Sequence, residues 1–247
     1  ICSLIVVAWA VPATAQIVNV QPLLGAEAED GLNGEITGAV SWKTGSVDLL
    51  LGKVGFLATY RHGAHRLISS SRGELGIKSG EDFMERYFSH LRHQIAWNDR
   101  LTLEGFGQLA SDRFKRIALR ALGGAGPRVG LFHTDKVDLA LGVAYMFERE
   151  VLGESDEADS EATETNHRIT SYLTGTVQLG PTLRLVHTTY FQPRLDAFTE
   201  DLRILSQSHL VVKLTKTMSL VTGVVVAWDS RPPLGVAELD TSTDVKL

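Results

Sequence analysis

The sequence predicts an all-β protein, a closed antiparallel transmembrane β-barrel of twelve strands. Three observations predict it. Apolar and polar residues alternate with period two over long segments, the mark of strands with one apolar and one polar face. The connections between these segments alternate between short and longer. Beyond the N-terminal region no run reaches 18 apolar residues, so strands rather than helices are left to span a membrane.

The N-terminus reads as an export signal. Residues 4–10 are an apolar run, Pro12 breaks it, and Ala13-Thr14-Ala15 offers a small-x-small cleavage site. Cleavage is placed after Ala15, which gives a signal peptide at 1–15, an N-terminal periplasmic segment at 16–32 and a barrel at 33–247. The only cysteine, Cys2, falls within the signal. A mature chain without thiols suits an oxidising compartment.

Twelve segments follow, near 33–44, 46–61, 65–77, 84–98, 100–112, 114–131, 136–150, 166–179, 182–192, 201–214, 217–230 and 236–247. The seventh is the clearest. In it Val137, Leu139, Leu141, Val143, Tyr145 and Phe147 alternate with Asp138, Ala140, Gly142, Ala144, Met146 and Glu148. In the eighth, Ile169, Leu173 and Val177 alternate with Thr170, Tyr172, Thr174 and Gln178. In the eleventh, Leu220, Val224, Val226 and Trp228 share one parity. The second and sixth are the least regular. Leu49-Leu50-Leu51 fills both faces, and Pro127 is expected at a bulge or an early strand end. Several segments exceed the roughly 5–6 residues of a globular strand and reach the about 9–11 of a spanning one.

The connections after even-numbered segments are short, at 61–64, 98–99, 133–135, 180–181 and 215–216. Those after odd-numbered segments include 78–82, 152–165, 193–200 and 230–235. Short turns at one end and longer loops at the other are the outer-membrane arrangement, with the short turns periplasmic. Such a sheet must close, because an open edge in hydrocarbon leaves backbone groups unpaired. The polar parity is placed inside because the strands are long and numerous. Trp97, Tyr145, Phe147 and Trp228 lie near strand ends, as interfacial aromatics do.

Composition excludes several classes. A hydrophobic fraction of 44% with a net charge of -5 does not belong to a disordered chain. Acidic residues outnumber basic ones 29 to 24, which argues against nucleic acid as a partner. A mean hydropathy of +0.03 excludes only a helical membrane protein, since an alternating barrel averages to neutrality.

A set of short motifs adds a resemblance. They are Arg86-Tyr87, Trp97, Phe106-Gly107-Gln108, Asp112-Arg113-Phe114, the stretch 119–126, Asp201-Leu202-Arg203, and the stretch 228–236 followed by Asp240. In this order and spacing, over about residues 33–247, the chain resembles the bacterial family called domain of unknown function 481 (DUF481), described as salt-induced outer membrane proteins. The resemblance implies a barrel in the Gram-negative outer membrane and no particular activity.

With the apolar parity toward lipid, the lumen is expected to receive Arg86, His90, Arg92, Glu104, Arg120, Asp138, Tyr172, Arg184, Asp201 and Arg203. These would either line a narrow pore that selects solutes or pair with one another and fill the interior. An external loop carries Glu154, Asp156, Glu157, Asp159, Glu161 and Glu164 without a basic residue. It reads as a solvated loop, the sharper alternative being a divalent-cation site without the order of a calcium loop.

No metal or catalytic motif accompanies the eight histidines, so no cofactor is expected and the chain reads as non-enzymatic. The function expected is a small passive channel or an envelope structural protein. An outer-membrane lipid hydrolase built from Ser and His on adjacent strands is one alternative, and a soluble periplasmic barrel with an apolar ligand is the other. The expected partners are outer-membrane lipids and lipopolysaccharide, the barrel-insertion machinery and small solutes.

Overall fold

The computed structural model describes residues 30–46, 48–215 and 218–246. The expected signal peptide and nearly all of the expected periplasmic segment lie outside the described residues. Twelve strands are present among them: β1 (Gly31–Lys43), β2 (Leu49–His62), β3 (His65–Lys78), β4 (Glu81–Ala96), β5 (Leu101–Asp112), β6 (Ile117–His133), β7 (Val137–Leu152), β8 (Thr163–Gln178), β9 (Leu183–Arg194), β10 (Ala197–Lys213), β11 (Ser219–Asp229) and β12 (Leu239–Lys246). A 3-10 turn, Arg113–Lys115, separates β5 from β6. Each strand pairs antiparallel with its neighbours in sequence, so the sheet is one meander in the order β1 to β12.

The twelve alternating segments all become strands, with ends moved by a few residues. The expected closure is not met. Among the described residues β1 and β12 do not pair, so the sheet has two free edges. It is nevertheless strongly curled. Lys115, after β5, forms an ion pair with Asp240 on β12. The Tyr172 hydroxyl on β8 donates to Glu104 Oε2 on β5 at 2.5 Å. Contacts between strands so far apart in the order require a concave face that meets itself. Gly142 on β7 is part of this fit, since a Cβ there would strike the Tyr172 ring.

The connections after β2, β4, β6, β8 and β10 are short, as expected. Two of the opposite set are shorter than expected. The stretch 78–82 tightens to Ser79-Gly80, whose φ values of 52° and 85° fit a two-residue hairpin turn. The stretch 193–200 tightens to Leu195-Asp196, because Arg194 pairs with Ala197. Turn-forming residue types marked these stretches as loops, but backbone groups pair wherever a ladder can be extended. Pro127 also departs from expectation. It sits inside β6 opposite Leu103, neither a bulge nor an end. It is tolerated because neither Gly126 nor Pro127 enters the ladder to β7.

The burial pattern is inverted relative to a soluble barrel. Along β7, Leu141, Val143, Tyr145 and Phe147 are exposed, while Met146, Glu148 and Glu150 are buried. The largest fully buried side chains begin with Arg120 and Arg168, each 1% exposed. Leu67, Leu91, Leu109, Leu173 and Val224 point out on other strands. Large contiguous apolar surface is uncommon on monomers that live in water.

Candidate functional site

The interior of the curled sheet is the site, and it is built from the polar parity of β4 to β11. Toward the loop end, Glu148 lies at its centre. Arg203 Nη1 donates to both Glu148 oxygens at 2.8 Å. Arg168 Nε approaches the same carboxylate at 3.4 Å and Arg120 Nε at 3.7 Å. Glu150 takes Arg120, and Arg203 Nη2 at 3.4 Å. Asp201 takes Arg168 Nη2 at 2.8 Å and Arg194 Nη1 at 3.1 Å, and Asp229 takes Arg203 Nε at 2.8 Å. Arg120, Arg168, Arg194 and Arg203 thus face Glu148, Glu150, Asp201 and Asp229, and the layer is electrically balanced. Such pairing is required of charges removed from water.

A second layer lies nearer the short turns. Glu104 accepts from Gln94 Nε2 and the Tyr172 hydroxyl, both at 2.5 Å, and from Arg92 Nη1 at 3.5 Å. The Arg92 guanidinium sits 5.7 Å from the ring centres of both Phe106 and Tyr172. A third group flanks the loop end, where Arg86 meets Glu74 at 3.8 Å and Asp112 at 3.5 Å. Asp112 also caps the 3-10 turn by accepting from the Phe114 and Lys115 N–H groups.

Of the expected interior residues, His90, Arg92, Glu104, Arg120, Tyr172, Asp201 and Arg203 are buried, and Arg86 and Arg184 are half-buried. Asp138 is the exception. It shares their parity but stands at the exposed start of β7, 3.0 Å from His133 at the end of β6. Glu150, Arg194, Asp229 and Asp240 were not foreseen as interior groups. Arg194 fell in the expected loop 193–200 and Glu150 at the boundary of the seventh segment, and extension of the ladder brings both inside, whereas Asp229 and Asp240 lie within the eleventh and twelfth expected segments.

Trp97 is 70% exposed at the short-turn end, and Tyr145 and Phe147 are exposed toward the long-loop end. Trp228 is half-buried beside them in height, just before the β11–β12 loop. The Tyr145 hydroxyl lies 2.5 Å from His167 Nδ1 on the same outer face.

The acidic loop between β7 and β8 is tied down by Asp159. Its carboxylate holds Arg116 Nη2 at 2.7 Å and accepts the Leu234 N–H at 2.9 Å, while Arg116 Nη1 donates to the Leu234 carbonyl at 2.6 Å. Three loops therefore meet at one carboxylate. Among the described residues no three His, Cys, Asp or Glu side chains form a group that could hold a metal ion. Burial alone would raise the Asp159 carboxyl, but the Leu234 N–H and Arg116 outweigh it and hold it below the usual carboxylate range. A lowered folded-state value means the latch contributes fully above the unfolded Asp value of about 4 and is lost as pH falls through the lower, folded value. Limited proteolysis of the 153–162 loop is expected to accelerate below about pH 4. Asp159→Asn should cleave at the fast rate at neutral pH, and a wild-type rate for that variant would refute the latch.

A polar cluster on the outer face joins β9 and β10. His187 Nδ1 lies 2.8 Å from Ser208 Oγ and His187 Nε2 lies 3.0 Å from Thr189 Oγ1. Thr189 in turn donates to Ser206 at 3.4 Å. Ser and His do meet here across adjacent strands, as the hydrolase alternative required. The third member is the Thr189 hydroxyl, whereas a catalytic histidine is oriented by a carboxylate or an amide.

Comparison with known proteins gives a family and a distant likeness. No curated protein matches the chain. Among solved structures, one described as "NanC porin structure in rhombohedral crystal form" is similar at a TM-score of 0.49 and 8% identity, covering 87% of this chain and 95% of that one. The profile of the family described as "Protein of unknown function, DUF481" matches residues 39–247, which takes in every strand but the first part of β1. The motifs that carried the resemblance all fall within that span, and the chain belongs to this family.

Proposed function

We propose that the chain is an outer-membrane β-barrel that acts as a narrow passive channel whose loop-side interior is filled by paired charges. The observation that carries this reading is the inverted burial, with arginines and glutamates inside and leucines, valines and aromatics outside. In water that arrangement exposes apolar surface without return. In hydrocarbon it is the arrangement a spanning sheet needs. The free edges of β1 and β12 carry unpaired N–H and C=O groups that cannot persist in lipid, so closure by a β1–β12 ladder belongs to the proposal. The soluble alternative requires an apolar interior, and most of the buried side chains here are polar or charged. Outer-membrane lipids and the insertion machinery follow as partners.

Planar-bilayer recording tests the channel. The expected result is small discrete steps that grow with salt concentration. Stable insertion without such steps would overturn conduction and leave an envelope structural role.

The His187–Ser208 contact favours a second reading, a lipid acyl hydrolase. Its position weighs against it, because the cluster is flanked by Leu185 and Phe191 along β9 and by Ile204 and Leu210 along β10. That is the middle of the apolar belt, whereas lipid ester groups lie at its margins. A fluorophosphonate probe is expected to leave Ser208 unlabelled, and stoichiometric labelling lost in Ser208→Ala would establish the hydrolase instead.

A further inference from the structure

The inner face of the sheet is filled on one side and open on the other. All eight strands from β4 to β11 contribute buried inward side chains, from Arg92 on β4 to Asp229 on β11. The inward residues of β1 are exposed instead, with Asn33, Glu35, Thr37, Ser41 and Lys43 among them, and so is Lys53 on β2. Thr37 does point inward, since a Cβ on Gly55 would strike its hydroxyl. The boundary runs along β3, where Ile68 and Ser70 are buried and Arg72 is exposed.

The division has a geometric reason. About eight strands enclose an interior that side chains alone can fill, and about 16–18 leave an aqueous channel. The ionic layers occupy an eight-strand share, and β12 with β1 to β3 add circumference that those layers do not reach. A polar face without protein partners is stable only against water. We propose that in the closed barrel the water-filled path runs off-centre, along the inner face of β1 to β3, bypassing the ionic layers and passing Arg72, which selects against cations.

Arg72 stands halfway along β3, opposite Gly55 on β2 and Phe88 on β4. Gly55 has no side chain to cover it. Glu74, two residues on, is shared by Lys53 and Arg86, each at 3.8 Å. Among the described residues no ion pair reaches Arg72. Thr37 shares its level through Gly55, and Glu35 lies two residues nearer the short turns. An unpaired charge on a low-dielectric wall acts on each ion that passes it. The inference rests on the channel reading above and names the route and the residue that discriminates among solutes.

The test is planar-bilayer recording of the full chain carrying Cys2→Ser, so that each added cysteine is the only one. A sulfonate-bearing methanethiosulfonate is the probe, and mass spectrometry reads its attachment. Thr37→Cys is expected to react fully and to lose roughly half of its conductance step. Thr188→Cys, in the filled part where the native residue is 0% exposed, should stay unmodified with its step intact. Arg72→Glu should shift the reversal potential in a potassium chloride gradient toward that of potassium. An unreactive Thr37→Cys, its modification without loss of conductance, or modification of Thr188→Cys overturns the route. An unmoved reversal potential in Arg72→Glu overturns its selecting role. Stable insertion of the unmodified chain without any discrete steps overturns the channel reading beneath both.

Discussion

Replacing Glu148 by leucine is expected to destabilise the fold by about 3–5 kcal/mol, the usual cost of removing one partner from a buried charge cluster. Glu148 is 1% exposed and is approached by Arg203, Arg168 and Arg120. Glu150, Asp201 and Asp229 already serve the same arginines, so no neighbouring carboxylate is spare to take over. The loss should appear as a lower midpoint in urea unfolding of the refolded protein. Adding Arg203→Met to the same chain should recover part of it, since the uncompensated charge is then removed as well. A loss below about 1 kcal/mol for Glu148→Leu would mean that water screens the cluster, and the interior would then be an open aqueous pore.

Leu173→Arg carries the second large effect. Leu173 lies in the middle of β8, points outward between Leu141 and Thr189, and is 44% exposed. On a protein dissolved in water such a surface change costs within about ±0.5 kcal/mol. At the middle of a bilayer an arginine on the lipid face costs about 2–4 kcal/mol. Folding into phosphatidylcholine vesicles, followed by urea titration, reads the difference directly. Thr165→Arg, at the loop end of the same strand and facing out, should cost about 0–1 kcal/mol as the interfacial control. Equal and negligible costs at both positions would refute the membrane reading.

These two variants probe the two faces of one alternation, and that alternation was plain in the residues. Period two is a local property. Leu141, Val143, Tyr145 and Phe147 declare one face of β7 without reference to any other strand. The same holds for the polar face, which places His90, Arg92, Glu104, Arg120 and Asp201 in one interior without reference to any contact. Strand ends were less legible. Lys78, Arg194 and Glu150 looked like loop or boundary residues, because charged and turn-forming types are common in loops. The ladder nevertheless runs through them, which moved Arg194 and Glu150 into the interior and left Asp138 outside it.

Taken by itself, the sequence determined the number of strands, their antiparallel order and which parity is apolar, because hydropathy period and turn chemistry act over a few residues. Only the tertiary structure decided which charges meet. Arg203 and Glu148 are separated by 55 positions, and Tyr172 and Glu104 by 68. Their contact depends on how tightly the sheet curls, a property of all the strands together. The same curvature decided that the interior is charge-balanced at the loop end and that the edges of β1 and β12 stand apart in this structure.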